Sequence, residues 1–339
     1  MSAKAEIRVA DNARYTVLGS GSWATAIVKL LTGNLPRVGW YVREQEFAES
    51  IATDGHNPQF LTGVEFNTQK LALYTDVNEA VRHSDVLIVV IPSAFVSVWL
   101  EGLTESLENK FIVSAVKGIV PDGNRTVLEY LHDRFGAQYA NMGVVTGPCH
   151  AEEVALERLS YLTFACKNED NARAISRVFA DSFLRSIIST DIHGTEYAAI
   201  LKNIYAVAAG VCHGLGYGDN FQAVLVSNAH VELKRFLEEV FPGEREPAYS
   251  AYLGDLLVTC YSQFSRNRSF GNMIGKGYRV RDAQPEMNMV AEGYYATKCM
   301  HDLNLKYKVQ LPIAEAMYRI LYEGANVKKE VAQLTEVLK

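Results

Sequence analysis

The chain has 339 residues, 48% of them hydrophobic, with 33 Lys and Arg against 39 Asp and Glu for a net charge of −6. That length supports two domain cores, and the acidic balance without a dense basic cluster excludes an extended nucleic-acid surface. Residues 1–8 carry mixed charge and lack the apolar run of a secretory signal, and no apolar stretch reaches membrane-spanning length. The five cysteines, Cys149, Cys166, Cys212, Cys260 and Cys299, are scattered without a CxxC pair. Reduced thiols in a cytoplasmic protein, with no stable membrane insertion, are therefore expected.

Residues 1–14 read as a polar extension. Tyr15–Leu18 reads as a short buried strand, followed at once by Gly19-Ser-Gly-Ser-Trp-Ala24 and then by helical spacing through Leu31. In a dinucleotide site the first glycine (Gly19) permits the tight turn and the second (Gly21) lets backbone approach a pyrophosphate. The helix N-terminus then presents N–H groups to the anion, and Ala24 is the small third position. An ordinary glycine-rich turn is the other reading; the strand before and the helix after favour nucleotide binding.

Arg37–Val42 supplies a second strand that ends at Arg43, 24 residues after Gly19. An acid at this strand end bonds the ribose 2′-hydroxyl in NAD-selective sites, whereas arginine suits a 2′-phosphate. NADP use with NAD also tolerated is the expectation, although Glu44 follows directly and Arg43 also reads as a solvated strand-end charge. His56-Asn-Pro58 and Leu61–Val64 are turn-rich, Leu71–Tyr74 is a strand and Asn78–Arg82 helical. Asp85–Ile91 is the clearest buried strand, stopped by Pro92; Ile91 and Pro92 stand at the carboxyl edge, where parallel sheets bind ligands. A helix over Phe95–Leu107 and a strand over Phe111–Val116 follow, and the strand ends in Lys117-Gly118. Lys117 is either a cation at a cleft or a solvated loop lysine. Asn141–Val145 precedes Thr146-Gly-Pro-Cys-His-Ala151, where Gly147 and Ala151 allow close backbone approach by a ligand. His150 beside Glu152 and Glu153 has no second histidine at ligand spacing, so no metal is expected.

Tyr161–Cys166, a helix over Asn171–Ala180 and Phe183–Ser189 complete the sheet region. The pattern is helical from Asp191, which divides the chain into domains at 15–190 and 191–339. Within the helix over Glu196–Gly210, Ile200, Ile204, Val207 and Val211 line one face. Lys202 lies on another, among Ala198, Ala199, Ala206 and Ala209, with no acid three or four places away. Desolvation there lowers a lysine's pKa and suits it to proton exchange with a carbonyl or alcohol; the alternative is a lysine snorkelling from a buried helix. Asp255 and Thr259 stand one helical turn apart in Tyr252–Cys260. Ser265, Arg266 and Asn267 offer hydroxyl, guanidinium and amide donors in succession, a compact phosphate-binding set.

Gly19-Ser-Gly-Ser-Trp, Lys117-Gly118, Gly147-Pro148 with Ala151, Lys202-Asn203, Gly254-Asp-Leu256, Thr259-Cys260, Ser265-Arg-Asn-Arg268 and Glu292-Gly293 occur in this order. In these motifs the chain, over about residues 15–325, resembles the bacterial NAD(P)-dependent glycerol-3-phosphate dehydrogenase family. The resemblance implies an N-terminal α/β Rossmann-like dinucleotide-binding domain. It also implies an all-α C-terminal substrate domain of the 6-phosphogluconate dehydrogenase C-terminal-like type. It implies reversible reduction of dihydroxyacetone phosphate to sn-glycerol 3-phosphate for glycerophospholipid synthesis, with NAD(P)H as cofactor, and a homodimer. Lys202 is then the catalytic acid/base, and Lys117, Gly147, Cys149, Asp255, Ser265, Arg266 and Asn267 surround the substrate. Ser22, Trp23, Arg43, Lys117, Ala151, Arg266, Val290 and Glu292 form the cofactor set, beside Gly19, Gly21 and Pro92 from the reading above. One departure from the family pattern is Cys149, which stands where a serine is usual and is the weaker hydrogen-bond donor. A reductase of another small 2-oxo or 2-hydroxy compound is the second reading, against which the phosphate-binding set argues. A non-catalytic nucleotide sensor is a third, against which Lys117 and Lys202 argue.

Overall fold

The computed structural model describes residues 6–287 and 291–339. The chain divides into two compact units, one running up to Val116 and over Val127–Ile192, the other comprising Lys117–Thr126 and His193–Lys339. The short excursion 117–126 thus joins the helical unit, which a single division at 190 does not anticipate. Its ties are local: Ile119 lies in the helical core, and Asn124 Nδ2 donates to Asp302 at 3.3 Å.

The first unit is built on Tyr15–Leu18 (β1), Val38–Tyr41 (β2), Leu71–Tyr74 (β3), Val86–Val89 (β4), Phe111–Ser114 (β5), Met142–Thr146 (β6), Ser160–Cys166 (β7) and Leu184–Ser189 (β8). These form one sheet in the order β3-β2-β1-β4-β5-β6-β7-β8, parallel throughout except for the antiparallel pair β6/β7. Val86-Leu-Ile-Val89 and Phe111-Ile-Val-Ser114 are buried at every position, as strands covered on both faces must be. The helices are Ser22–Asn34 (α1), Gln45–Asp54 (α2), Val77–Arg82 (α3), Val96–Trp99 (α4), Val127–Phe135 (α5), Ala151–Ala155 (α6) and Glu169–Val178 (α7). The chain moves from β1 outward to β2 and β3, then returns to β4 on the other side of β1. That reversal opens the crevice at the carboxyl ends of β1 and β4 where such sheets bind nucleotides.

The helix expected over Phe95–Leu107 is the main correction here. It ends at Trp99, and residues beyond it are held by a tertiary contact instead. The Asn78 amide donates to Gly102 O at 2.8 Å and accepts from Thr104 N (2.7 Å) and Glu105 N (3.0 Å), which replaces the helical ladder for those groups.

The second unit contains Ile192–Gly214 (α8), Asp219–Val240 (α9), Asp255–Tyr261 (α10), Arg266–Gly275 (α11), Val280–Glu286 (α12), Glu292–Tyr307 (α13), Pro312–Tyr322 (α14) and Val327–Val337 (α15). Ile200, Ile204, Val207 and Val211 are buried as expected, but so are Leu201, Tyr205 and Ala208 on other sides of α8. A helix buried on all sides is the centre of its unit. α11 lies against it backbone to backbone, because a Cβ on Gly271 would collide with the Val207 carbonyl. No described helix is long and apolar enough to cross a membrane. All five cysteines are buried and free of disulfides.

Candidate active site

In the first unit the turn between β1 and α1 is shaped to receive an anion. Gly19 has φ +132°, which L side chains rarely adopt, and a Cβ there would meet Val90 O at 2.9 Å. The turn therefore runs directly over the end of β4, while a Cβ on Gly21 would meet nothing within 4 Å. Gly21 caps α1 without a side-chain hydrogen bond, so the first-turn N–H groups are not consumed by a cap. A glycine cradle at the head of a thirteen-residue helix fits the pyrophosphate of a dinucleotide. Ser22 is buried in the first turn, Trp23 is half-buried beside it, and Pro92 is half-buried just beyond β4. Arg43 and Glu44 are both exposed just past β2, with Glu44 opening α2.

Gly147 and Cys149 follow β6, and Ala151 begins α6. The Cys149 thiol is buried and donates to Tyr161 O at 3.1 Å. Serine at this position retains a donor of similar reach, so Cys149→Ser is expected to change stability by no more than about 1 kcal/mol. Melting temperature and substrate KM check this; inactivation with the fold intact would assign the sulfur a chemical role.

In the second unit a charged cluster is buried around α8. Lys202 is 3% exposed and its Nζ donates to Asp255 Oδ1, while Lys117 Nζ lies 3.5 Å from Asp255 Oδ2. A π-helical turn at Ser250–Gly254 immediately precedes Asp255 and sets its place at the start of α10. Thr259 Oγ1 donates to the Asp255 carbonyl at 2.6 Å and stands 3.4 Å from its Oδ1. Burial pulls the Lys202 pKa down to about 7, against the opposing attraction of Asp255 and with the repulsion of Lys117 added. An amine poised there exchanges protons at neutral pH without a large driving force in either direction. The local sequence showed no acid within a helical turn of Lys202; its partner comes from α10 instead.

A chain of amides ties the rest of this cluster together. Asn203 Nδ2 donates to Lys117 O, Asn267 Nδ2 donates to Asn203 Oδ1 at 2.9 Å, and Gly293 N donates to Asn267 Oδ1 at 2.9 Å. Ser265 caps α11 by accepting from Arg268 N at 3.3 Å, and the exposed Arg266 is the first residue of that helix. Ser265, Arg266 and Asn267 therefore form a helix N-terminus with a guanidinium on it, a setting that favours anions. Glu292 begins α13, and Val290 lies outside the described residues. Among the described residues no three His, Cys, Asp or Glu side chains are grouped as metal ligands.

One positioning residue has no local signal in the sequence. Asn203 reads only as a neighbour of Lys202, although its amide joins Lys117 O to Asn267.

A glycine cradle on a doubly wound sheet, and a lysine titrating near neutrality in a helical unit, are features of the dinucleotide-dependent oxidoreductases. The comparisons narrow this class. The model for the N-terminus of NAD-dependent glycerol-3-phosphate dehydrogenase matches residues 14–172, and that for its C-terminus residues 191–332. The chain is 34% identical over 320 residues to a glycerol-3-phosphate dehydrogenase (NAD(P)+) of Chlorobium limicola, covering 94% of this chain and 96% of that one. It is 36% identical over 326 residues to one from an Exiguobacterium species, covering 95% of each. A solved glycerol-3-phosphate dehydrogenase from Coxiella burnetii superposes with TM-score 0.87 at 28% identity, over 96% of this chain and 100% of that one. The chain belongs to the NAD-dependent glycerol-3-phosphate dehydrogenase family.

Proposed function

We propose that this chain is an NAD(P)-dependent sn-glycerol-3-phosphate dehydrogenase that reversibly reduces dihydroxyacetone phosphate, supplying the glycerol phosphate unit of glycerophospholipids. The observation that carries the proposal is the buried Lys202–Asp255 pair, with a lysine pKa pulled to about 7. A dinucleotide held by Gly19, Gly21, Ser22, Trp23 and Ala151 would supply the hydride chemistry at C2 of the substrate, as donor in reduction and acceptor in oxidation. Lys202 in its ammonium form donates a hydrogen bond to the C2 oxygen and gives up a proton as negative charge develops there. In the oxidative direction the neutral amine takes the hydroxyl proton. Asp255 orients Lys202 and holds its pKa up, and Lys117 adds a second cation facing the same carboxylate. Ser265, Arg266 and Asn267 hold the substrate phosphate at the N-terminus of α11. Gly19, Gly21, Ser22, Trp23 and Ala151 receive the dinucleotide, and no metal takes part.

The direct test uses the two enantiomers of the product. Incubated with NAD+ or NADP+, the protein is expected to form reduced nicotinamide from sn-glycerol 3-phosphate and not from sn-glycerol 1-phosphate. Equal turnover of both would contradict the stereochemical assignment.

Arg43 also makes a prediction about cofactor choice. The exposed guanidinium past β2 pairs with a 2′-phosphate, whereas Glu44 suits a free ribose. Arg43→Ala is expected to raise KM for NADPH by about tenfold, the scale of one charge-assisted hydrogen bond, and to leave KM for NADH nearly unchanged. Equal effects on the two cofactors would remove Arg43 from cofactor selection.

A further inference from the structure

The turn Gly19-Ser-Gly21 exposes a second feature of the first unit: each of its three carbonyl oxygens is bonded by a side chain. Trp40 Nε1 donates to Gly19 O at 2.7 Å, Asn57 Nδ2 to Ser20 O at 2.9 Å, and Thr25 Oγ1 to Gly21 O at 3.0 Å. All three are dry, and two of them are linked. Asn57 Nδ2 also donates to Thr25 Oγ1 at 2.9 Å, and Trp40, Asn57 and Thr25 are all 0% exposed. Asn57 is itself fixed, because its Oδ1 accepts from Gln59 N at 3.0 Å and Phe60 N at 2.9 Å. All four amide hydrogen-bonding positions of a side chain with no solvent access are thus used.

In a planar trans peptide the C=O and N–H point in opposite directions. Holding the Gly19, Ser20 and Gly21 carbonyls therefore sets the directions of the Ser20, Gly21 and Ser22 N–H groups. Among the described residues, none of these three N–H groups has a hydrogen-bond partner. Buried or half-buried backbone donors without partners are costly unless something else accepts from them.

From this we infer that Trp40, Asn57 and Thr25 form a carbonyl clasp that presets three backbone N–H groups for a dinucleotide pyrophosphate. Asn57 is its keystone and a positioning residue for cofactor affinity. The inference rests on nucleotide binding at this turn and deepens it. The clasp holds the peptide planes before the ligand arrives, so the anion meets donors that need no reorientation. It draws on β2, on the loop after α2 and on α1 itself, so the turn is braced from three sides. A clasp of this kind acts on affinity for the pyrophosphate and leaves the chemical step alone.

The test measures Kd for NADH, for ADP-ribose, which keeps the pyrophosphate, and for adenosine, which lacks it. It uses the full chain and the variants Asn57→Ala, Thr25→Val and Trp40→Phe. Thr25→Val removes the hydroxyl with the branched shape kept. Trp40→Phe removes the indole donor while keeping a ring against Phe66, 5.3 Å away between centroids. The last two variants carry the test if Asn57→Ala fails to fold. Each folded variant is expected to bind NADH and ADP-ribose about tenfold to a hundredfold more weakly. Adenosine affinity and kcat at saturating cofactor should stay unchanged, and Thr25→Ser should restore binding. Wild-type affinity for NADH and ADP-ribose in variants with wild-type melting temperature overturns the clasp, as does an equal loss for adenosine. A wild-type chain that binds neither NADH nor ADP-ribose overturns the nucleotide reading, and the clasp with it.

Discussion

Replacing Lys202 by methionine is expected to lower kcat by about 10²–10⁴-fold, the usual contribution of a positioned acid or base. Methionine keeps most of the volume of the side chain in the core. Asp255 retains Lys117 Nζ at 3.5 Å, so the buried carboxylate is not left without a cation. The fold should therefore survive, and NADH affinity, which the proposed reading rests mainly on the Gly19–Ser22 turn, should be largely unchanged. Steady-state kinetics beside a titration with NADH separate the two effects. Near-normal turnover would remove Lys202 from the chemistry. The wild-type pH profile carries the same claim with a defined sign. Reduction uses the protonated amine, so its kcat/KM should fall as pH rises through about 7; oxidation uses the neutral amine and should rise through the same range.

Asp255→Asn should do more damage than its small change in shape suggests. The carboxylate is 1% exposed and is the anion facing both Lys202 and Lys117. Removing its charge leaves two cations near one another in a dry site, a loss of up to about 3–5 kcal/mol for a broken buried pair. Lys202 relieves part of this by losing its proton, since Asp255 is the group that holds its pKa up. The pH midpoints of both reaction directions should accordingly move to lower pH. At neutral pH the reductive reaction should suffer more than the oxidative one. A pH–rate profile and a melting curve measure these together. Lower stability with unmoved midpoints would make Asp255 structural only.

The parts of the fold that were legible in the sequence are those whose signal is local. Tyr15–Leu18, the glycine turn and the following helix form one continuous pattern, and Leu71–Tyr74 is bounded by polar residues on both sides. The α/β unit followed by a helical unit is likewise read from where the period of the apolar residues changes. What escaped has a tertiary cause. The helix past Phe95 stops because Asn78, more than twenty residues earlier, captures the backbone around Gly102. The Lys202 partner is 53 positions away, beyond any search over one helical turn. The excursion 117–126 joins the helical unit through Asn203 and Asp302, contacts that leave no periodic trace. Asn57 is the clearest case: the two hydrogen bonds it donates, to Ser20 O and Thr25 Oγ1, depend on where the β1–α1 turn lies in space.

On the proposed reading a phosphorylated ketone is reduced through Lys202 with its phosphate held at the N-terminus of α11. The most direct measurement compares kcat/KM for dihydroxyacetone phosphate, dihydroxyacetone and an unphosphorylated 2-oxo acid, with NADH and with NADPH, in the wild type and in Arg266→Ala. Dihydroxyacetone phosphate should be strongly preferred by the wild type. Arg266→Ala should erode that preference by about tenfold to a hundredfold through KM, the worth of a charge-assisted hydrogen bond. Equal kcat/KM for dihydroxyacetone and its phosphate in the wild type, or a preference for the 2-oxo acid, would contradict the account.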